Sequence, residues 1–191
     1  MKIAAMIGSP RRGGNSEILL DWALSKISES GHEIQIFRPD SMNIAPCQNC
    51  GGCEDSGLCV IDDDMAKVYD AIKNSDRFII SSPIFFFGLP AQIKALIDRC
   101  QAIWAEKYLL KRPIPEGEHG RKGLLILVGG LNMKVGFDCG DACTTAFFRS
   151  ISVPVHQTIS FMKVDDKGAI KDTPDAINKV HEAVINLLQT N

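Results

Sequence analysis

Residues Ile3 to Ile7 form an uninterrupted apolar run that stops at Gly8-Ser9-Pro10-Arg11-Arg12-Gly13-Gly14-Asn15-Ser16. Beyond it apolar residues recur at helical spacing at Ile18, Leu19, Trp22, Ala23 and Ile27, with Asn15 or Ser16 as the expected cap. A strand without polar alternation has to be covered on both faces, and a sheet flanked by helices on both sides provides that. The same unit recurs along the chain. His32–Phe37, Arg77–Ser81, Gly123–Val128 and Val153–Phe161 read as further strands. A helix is expected after the Asp62-Asp63-Asp64 cap, with Met65, Val68, Tyr69 and Ile72 inward, and another from Pro90, with Ile93, Leu96, Ile97 and Cys100 inward. Two more run from an Asp138 cap to about Ser150 and from Thr173-Pro174 through Ile177, Val180, Val184 and Leu187. Five strands alternating with helices imply a parallel sheet joined by right-handed crossovers. Neither a repeat nor a linker interrupts the 191 residues, so a single domain over 1–191 is expected, with a cysteine-rich insertion at about 38–62.

Ligands of such sheets sit beyond the carboxyl ends of the strands. That directs attention to the loops Gly8–Asn15, Pro83–Pro90 and Gly129–Phe137. In the first loop, backbone N–H groups, hydroxyls and a helix dipole converge where an anion could bind. A dinucleotide fingerprint is absent, because Pro10 stands where its second glycine belongs. The Gly8 to Gly13 spacing matches the start of a P-loop, but Gly14-Asn15 replaces the lysine and hydroxyl that a nucleoside triphosphate requires. The remaining donors suit one phosphate monoester, or a plain strand–helix turn.

The loop after the third strand, Ser81-Ser82-Pro83-Ile84-Phe85-Phe86-Phe87-Gly88-Leu89-Pro90, carries three consecutive phenylalanines. Consecutive aromatics in a loop cannot all enter one core, so at least one meets a ligand, a partner or solvent. A flat apolar cofactor is one occupant; packing is the alternative.

Four of the seven cysteines are crowded into Cys47-x-x-Cys50-x-x-Cys53-x5-Cys59. Four thiolates this close suit a compact iron–sulfur cube, one sulfur per iron. Structural zinc usually draws its ligands from two pairs set further apart, and thiols without metal are the third possibility. Cys139 and Cys143 share a helix face but make an incomplete metal set, and Cys100 lies in an apolar stripe. The histidines at 32, 119, 156 and 181 are scattered, and no nucleophile–base set or carboxylate pair stands out. Any chemistry is then carried by cofactors. The net charge of −2 gives no reason to expect nucleic acid or an anionic membrane, and no apolar stretch is long enough to span a bilayer, so a cytoplasmic protein is expected.

The sequence Gly8-Ser9-Pro10-Arg11-x-x-x-Asn15-Ser16 resembles the FMN phosphate loop of the NADPH-dependent FMN reductase family, within the flavodoxin-like superfamily. The similarity runs from the first strand through the helix ending near Arg99. It takes in the Ser82-Pro83 aromatic loop and Lys94, Asp98 and Arg99, with Gly129-Gly130 matching a third flavin-side loop. The cysteine motif and the following Val60–Met65 resemble the compact motif of the iron–sulfur flavoproteins, which holds a [4Fe–4S] cluster. The resemblance implies a flavodoxin-like three-layer sandwich with strand order 2-1-3-4-5. Ser9, Arg11, Asn15 and Ser16 would bind the FMN phosphate. Pro83, Ile84, Phe85, Phe86, Phe87, Gly88, Gly129 and Gly130 would hold the ring, and Cys47, Cys50, Cys53 and Cys59 the cluster. It further implies an FMN-dependent oxidoreductase that exchanges electrons with a ferredoxin-like protein or NAD(P)H and assembles as a homodimer or homotetramer. Alternatives are an NAD(P)H-dependent FMN or quinone reductase without a working cluster, and a non-catalytic FMN- or metal-binding module.

Overall fold

The computed structural model describes residues 1–190. Strands β1 (Lys2–Ile7), β2 (Glu33–Phe37), β3 (Arg77–Pro83), β4 (Lys122–Gly129) and β5 (Val155–Met162) form one parallel sheet in the order β2-β1-β3-β4-β5. This is the flavodoxin-like arrangement. The helices are α1 (Asn15–Ser28), α2 (Met65–Asn74), α3 (Ala91–Arg99), α4 (Gln101–Tyr108), α5 (Lys134–Ser150) and α6 (Ala176–Leu188), with short 3-10 turns at Pro39–Ser41 and Ala169–Asp172.

Successive residues of each strand face opposite layers, and the core divides accordingly. Ile3, Ala5, Ile7, Ile79, Leu124 and Ile126 pack with α1 and α6. Ala4, Met6, Phe78, Ile80, Leu125 and Leu127 pack on the other side with α2, α3 and α5. Each buried Ile or Leu contributes about 1.5–3 kcal/mol, which is why the strands carry no polar alternation. The amino end of the sheet is tied by two buried arginines whose hydrogen bonds all go to carbonyls. Arg77 donates to the carbonyls of Leu187, Gly120, His119 and Gln189, and Arg121 to those of Ser75, Ile72 and Ile151.

Several boundaries differ from the sequence expectation. The residue preceding α1 is Gly14, and Asn15 and Ser16 are already helical. Helix α5 starts at Lys134, four residues ahead of Asp138, which lies inside the helix and pairs with Lys134 across one turn. Strand β5 starts at Val155, after Pro154, while Val153 is buried in the core beneath α5. Helix α6 starts at Ala176, after Asp175 in a left-handed conformation, and Ile177 is exposed. Helix α4 was not expected; the chain breaks at Cys100 and resumes helix at Gln101.

Candidate functional site

The parallel register of β1 on β3 carries Gly8 to the end of Ser81, whose carbonyl accepts the Gly8 N–H at 2.8 Å. The loop then turns outward. Ser9, buried, accepts the Arg11 N–H on its hydroxyl at 3.1 Å. Gly13 adopts φ +64°, a conformation that costs most side chains, and its N–H donates to the Glu17 carboxylate at 2.5 Å. Burial raises the Glu17 carboxyl, but the Gly13 amide together with Arg38 and Arg12 outweighs it and holds the group below the usual carboxylate range. Arg38 lies 2.6 Å from Glu17, and Arg12 lies 3.2 Å from Asp40. Arg11 forms no ion pair among the described residues and is exposed. The amides of Asn15, Ser16 and Glu17 open α1, where helix geometry offers them no acceptor. Unanswered amides, a free guanidinium and buried hydroxyls form a cradle that fits a phosphate monoester.

Asn15 stands in this loop as expected, yet its side chain is engaged elsewhere. Its Nδ2 donates to the Asp166 carbonyl at 2.9 Å, and its Oδ1 accepts the N–H groups of Gly168 and Ile170 at 2.9 and 3.3 Å. The loop after β5 is thereby pinned against the loop after β1.

The phenylalanine loop forms a tight hairpin turn, with Phe85 and Gly88 exchanging both backbone hydrogen bonds at 2.9 Å. Phe86 and Phe87 at its centre have φ of +46° and +60°. Such turns favour Asn and Gly, so two aromatics there are strained by roughly 1 kcal/mol or more each. Phe86 is fully exposed, and Phe85 and Phe87 are nearly half exposed. Helix α5 passes closely enough that a Cβ on Gly136 would stand 2.9 Å from Ile84 and 3.1 Å from the Phe87 ring. Ile84, Phe86 and Phe87 line a cleft of about 390 Å³ with Gly129, Gly130, Leu131, Met133, Phe137 and Asp165. That volume and lining fit a flat aromatic ring system. Strain held in an exposed aromatic turn beside an apolar cleft points to a ligand-binding role.

Cys47, Cys50, Cys53 and Cys59 all line a second, smaller cavity, together with Arg99, Gln101 and Ala102. Burial and the neighbouring thiols of Cys59, Cys47 and Cys50 push the Cys53 thiol up. Among the described residues, no three His, Cys, Asp or Glu groups converge on one point as a single metal ion would require. A cube with one sulfur per iron draws on four thiolates, and the four cysteines that line this cavity have the donor chemistry for it. Arg99 holds the segment in place. Its guanidinium is buried and lies 2.5 Å from Asp63, and it donates to the carbonyls of Ala45 and Ile61, either side of the cysteine run. Burial lowers the Arg99 guanidinium, but Asp63 and its other neighbours outweigh that and raise it. Burial likewise opposes ionisation of Asp63, yet Arg99 and the N–H groups of Ala45 and Met65 hold its carboxyl low. The end of α4 and the residues just after it brace the cysteine segment. Arg112 donates to the Ser56 carbonyl, and a Cβ on Gly57 would touch Glu106.

The family model described as NADPH-dependent FMN reductase matches residues 1–134. The chain belongs to this family of FMN-dependent oxidoreductases. An iron–sulfur flavoprotein of Methanosarcina thermophila is 36% identical over 130 residues, covering 68% of this chain and 64% of that protein. One from Archaeoglobus fulgidus is 37% identical over 128 residues, 67% of this chain and 62% of that protein. The chain thus spans somewhat under two thirds of the length of these relatives. The solved NAD(P)H:quinone oxidoreductase of Methanothermobacter marburgensis superposes with a TM-score of 0.75 at 16% identity, covering 100% of this chain and 98% of that one, which shows a shared fold. No helix among the described residues is long and apolar enough to cross a membrane.

The structure brings the flavin-side residues together in part. Ile84, Phe86, Phe87, Gly129 and Gly130 line the cleft, whereas Pro83 ends β3 and Phe85 and Gly88 form the base of the turn. Sequence reasoning missed Leu131, Met133, Phe137 and Asp165. The first three lie in or at the end of the Gly129–Phe137 loop already singled out, and Asp165 follows β5 at the same carboxyl end of the sheet.

Proposed function

We propose that the chain is an electron-transfer oxidoreductase of the iron–sulfur flavoprotein kind, holding FMN at the carboxyl end of the sheet and a [4Fe–4S] cluster in the cysteine cavity. The cavity ringed by all four cysteines carries this reading over that of a plain flavin reductase. Ser9, Arg11 and Ser16 hold the phosphate, with Asn15 contributing its backbone N–H. Ile84, Phe86 and Phe87 cover the ring and exclude water from it, on a turn shaped by Pro83, Phe85 and Gly88. Gly129 and Gly130 leave room on the opposite side. Cys47, Cys50, Cys53 and Cys59 ligate the cluster, and Arg99 holds both ends of their segment. Bound there, FMN supplies both one- and two-electron chemistry and the cluster supplies single-electron transfer. Electrons come from NAD(P)H or from a ferredoxin-like protein. The exposed Phe86, Leu131 and Met133 that line the cleft support coverage by a second copy in a homodimer or homotetramer.

The test is anaerobic purification followed by a visible spectrum, iron and acid-labile sulfide assays, and acid release of the flavin. FMN together with about four irons per chain is expected. Near-zero iron after careful reconstitution, with rapid bleaching by NADPH, would replace this reading with that of a plain FMN reductase. Recovery of FAD would overturn the phosphate-loop assignment.

A further inference from the structure

The loop after β5 lies over the loop after β1, and one side chain from it reaches the phosphate cradle. A Cβ built on Gly13 would stand 3.2 Å from Lys167 Cε and 3.4 Å from its Nζ. The Lys167 ammonium therefore sits above the turn whose amides and hydroxyls form the cradle. Among the described residues it makes neither a hydrogen bond nor an ion pair, although Asp165 and Asp166 precede it in the same exposed loop. The carboxylates that face the cradle are already matched. Glu17 is paired with Arg38 and bonded to Gly13, and Asp40 is paired with Arg12. Arg11 and Lys167 are the cations there that remain unpaired. A phosphate monoester carries close to two negative charges at neutral pH. What keeps Lys167 in place is Asn15, whose amide bonds to the backbone of residues 166, 168 and 170 on both sides of it.

We propose that Lys167 is a phosphate-binding residue of the flavin site, brought over the first loop from the far end of the chain, and that Asn15 is the positioning residue that holds it there. The proposal rests on the FMN reading given above. It turns the Asn15 side chain from a direct phosphate ligand into the strap of a two-loop clamp. The phosphate then closes between the start of α1 and the loop after β5, so loss of the strap and loss of the cation weaken the same interaction.

The experiment compares FMN with riboflavin, which lacks the phosphate, by fluorescence titration of the apoprotein at low and high salt. Lys167→Gln is expected to weaken FMN binding roughly tenfold at low salt and less at high salt, leaving riboflavin affinity unchanged. Lys171→Gln removes the same charge from the neighbouring 3-10 turn and should leave FMN affinity within about twofold. Asn15→Ala should weaken FMN binding at least as much, and adding Lys167→Gln to it should cause little further loss, because the two act through one contact. Circular dichroism of each apoprotein checks that it is folded. The proposal is overturned if Lys167→Gln behaves like Lys171→Gln, if it weakens riboflavin as much as FMN, or if its effect adds fully to that of Asn15→Ala. A wild-type protein that binds FMN no more tightly than riboflavin overturns the phosphate-loop reading itself, a result distinct from all three.

Discussion

Replacing Phe86 by Asn should move stability and cofactor affinity in opposite directions. Phe86 has φ +46° and buries nothing, so its removal forfeits no packing in the apoprotein. Asn tolerates the left-handed region that a bulky side chain resists, and relief of that strain is worth about 1 kcal/mol. For a chain of this size that corresponds to a rise in Tm of about 2–4 °C. The same side chain lines the cleft proposed to hold the flavin. Losing one aromatic face against the ring should weaken FMN binding by about 0.5–1.5 kcal/mol, or roughly two- to twelvefold in Kd. Phe87→Gly provides the contrast. It relieves similar strain but removes the ring packed against α5 at Gly136, so no net gain in Tm is expected. The assay is thermal melting of the apoproteins followed by fluorescence titration with FMN. A lower Tm for Phe86→Asn would show that the ring stabilises the fold, and an unchanged Kd would show that it does not contact flavin; either result refutes the argument.

Cys50→Ala should lose most iron and acid-labile sulfide while retaining FMN, whereas Cys100→Ala, buried between α3 and α4, should lose neither; equal loss from both would mean the ligands are misassigned. Asp63→Asn leaves Arg99 buried beside a neutral partner and should destabilise by about 3 kcal/mol at pH 7, lowering Tm by about 6–12 °C. The folded Asp63 carboxyl lies below its unfolded value of about 3.9, so its stabilisation is fully present above about pH 4 and lost as pH falls through the folded value. Wild type and variant should therefore converge in acid, and a gap independent of pH would rule out the ion pair as its cause.

The parts of the fold legible in the sequence are those dictated by local pattern. The unbroken run Ile3–Ile7 and its counterparts specify strands covered on both faces, and the order of strands and helices then leaves few topologies. The misses have specific causes. Asp138 has the chemistry of a cap, but it lies one turn inside α5, where it pairs with Lys134. Trp104 and Tyr108 on α4 are exposed, so the helix shows little of the apolar periodicity that would announce it. At the proposed site, the loop that carries Ser9, Arg11 and Ser16 is contiguous, so its motif can be read directly. Asp165, which meets the cleft beside Gly130, and Lys167, which reaches Gly13 from about 150 residues away, lie in a later loop that no local pattern links to these positions. The motif names Asn15 by residue type without showing that its amide bonds to the loop after β5.

The hydrogen bonds from Arg99 to the Ala45 and Ile61 carbonyls make the intervening segment a closed ring, shut by a guanidinium with no metal needed. Closing a loop of about 16 residues costs about 2.5 kcal/mol of chain entropy beyond a constant. In small zinc domains the metal itself has to meet such a cost, and the empty chain is unfolded. Here folding of the α/β body meets it first, through a residue on α3. On the proposed reading, the Arg99 ties rather than the cluster hold the cysteine segment to the α/β body, and maturation becomes a matter of delivery to a standing receptacle. A cluster lost to air should leave behind a folded shell able to accept another.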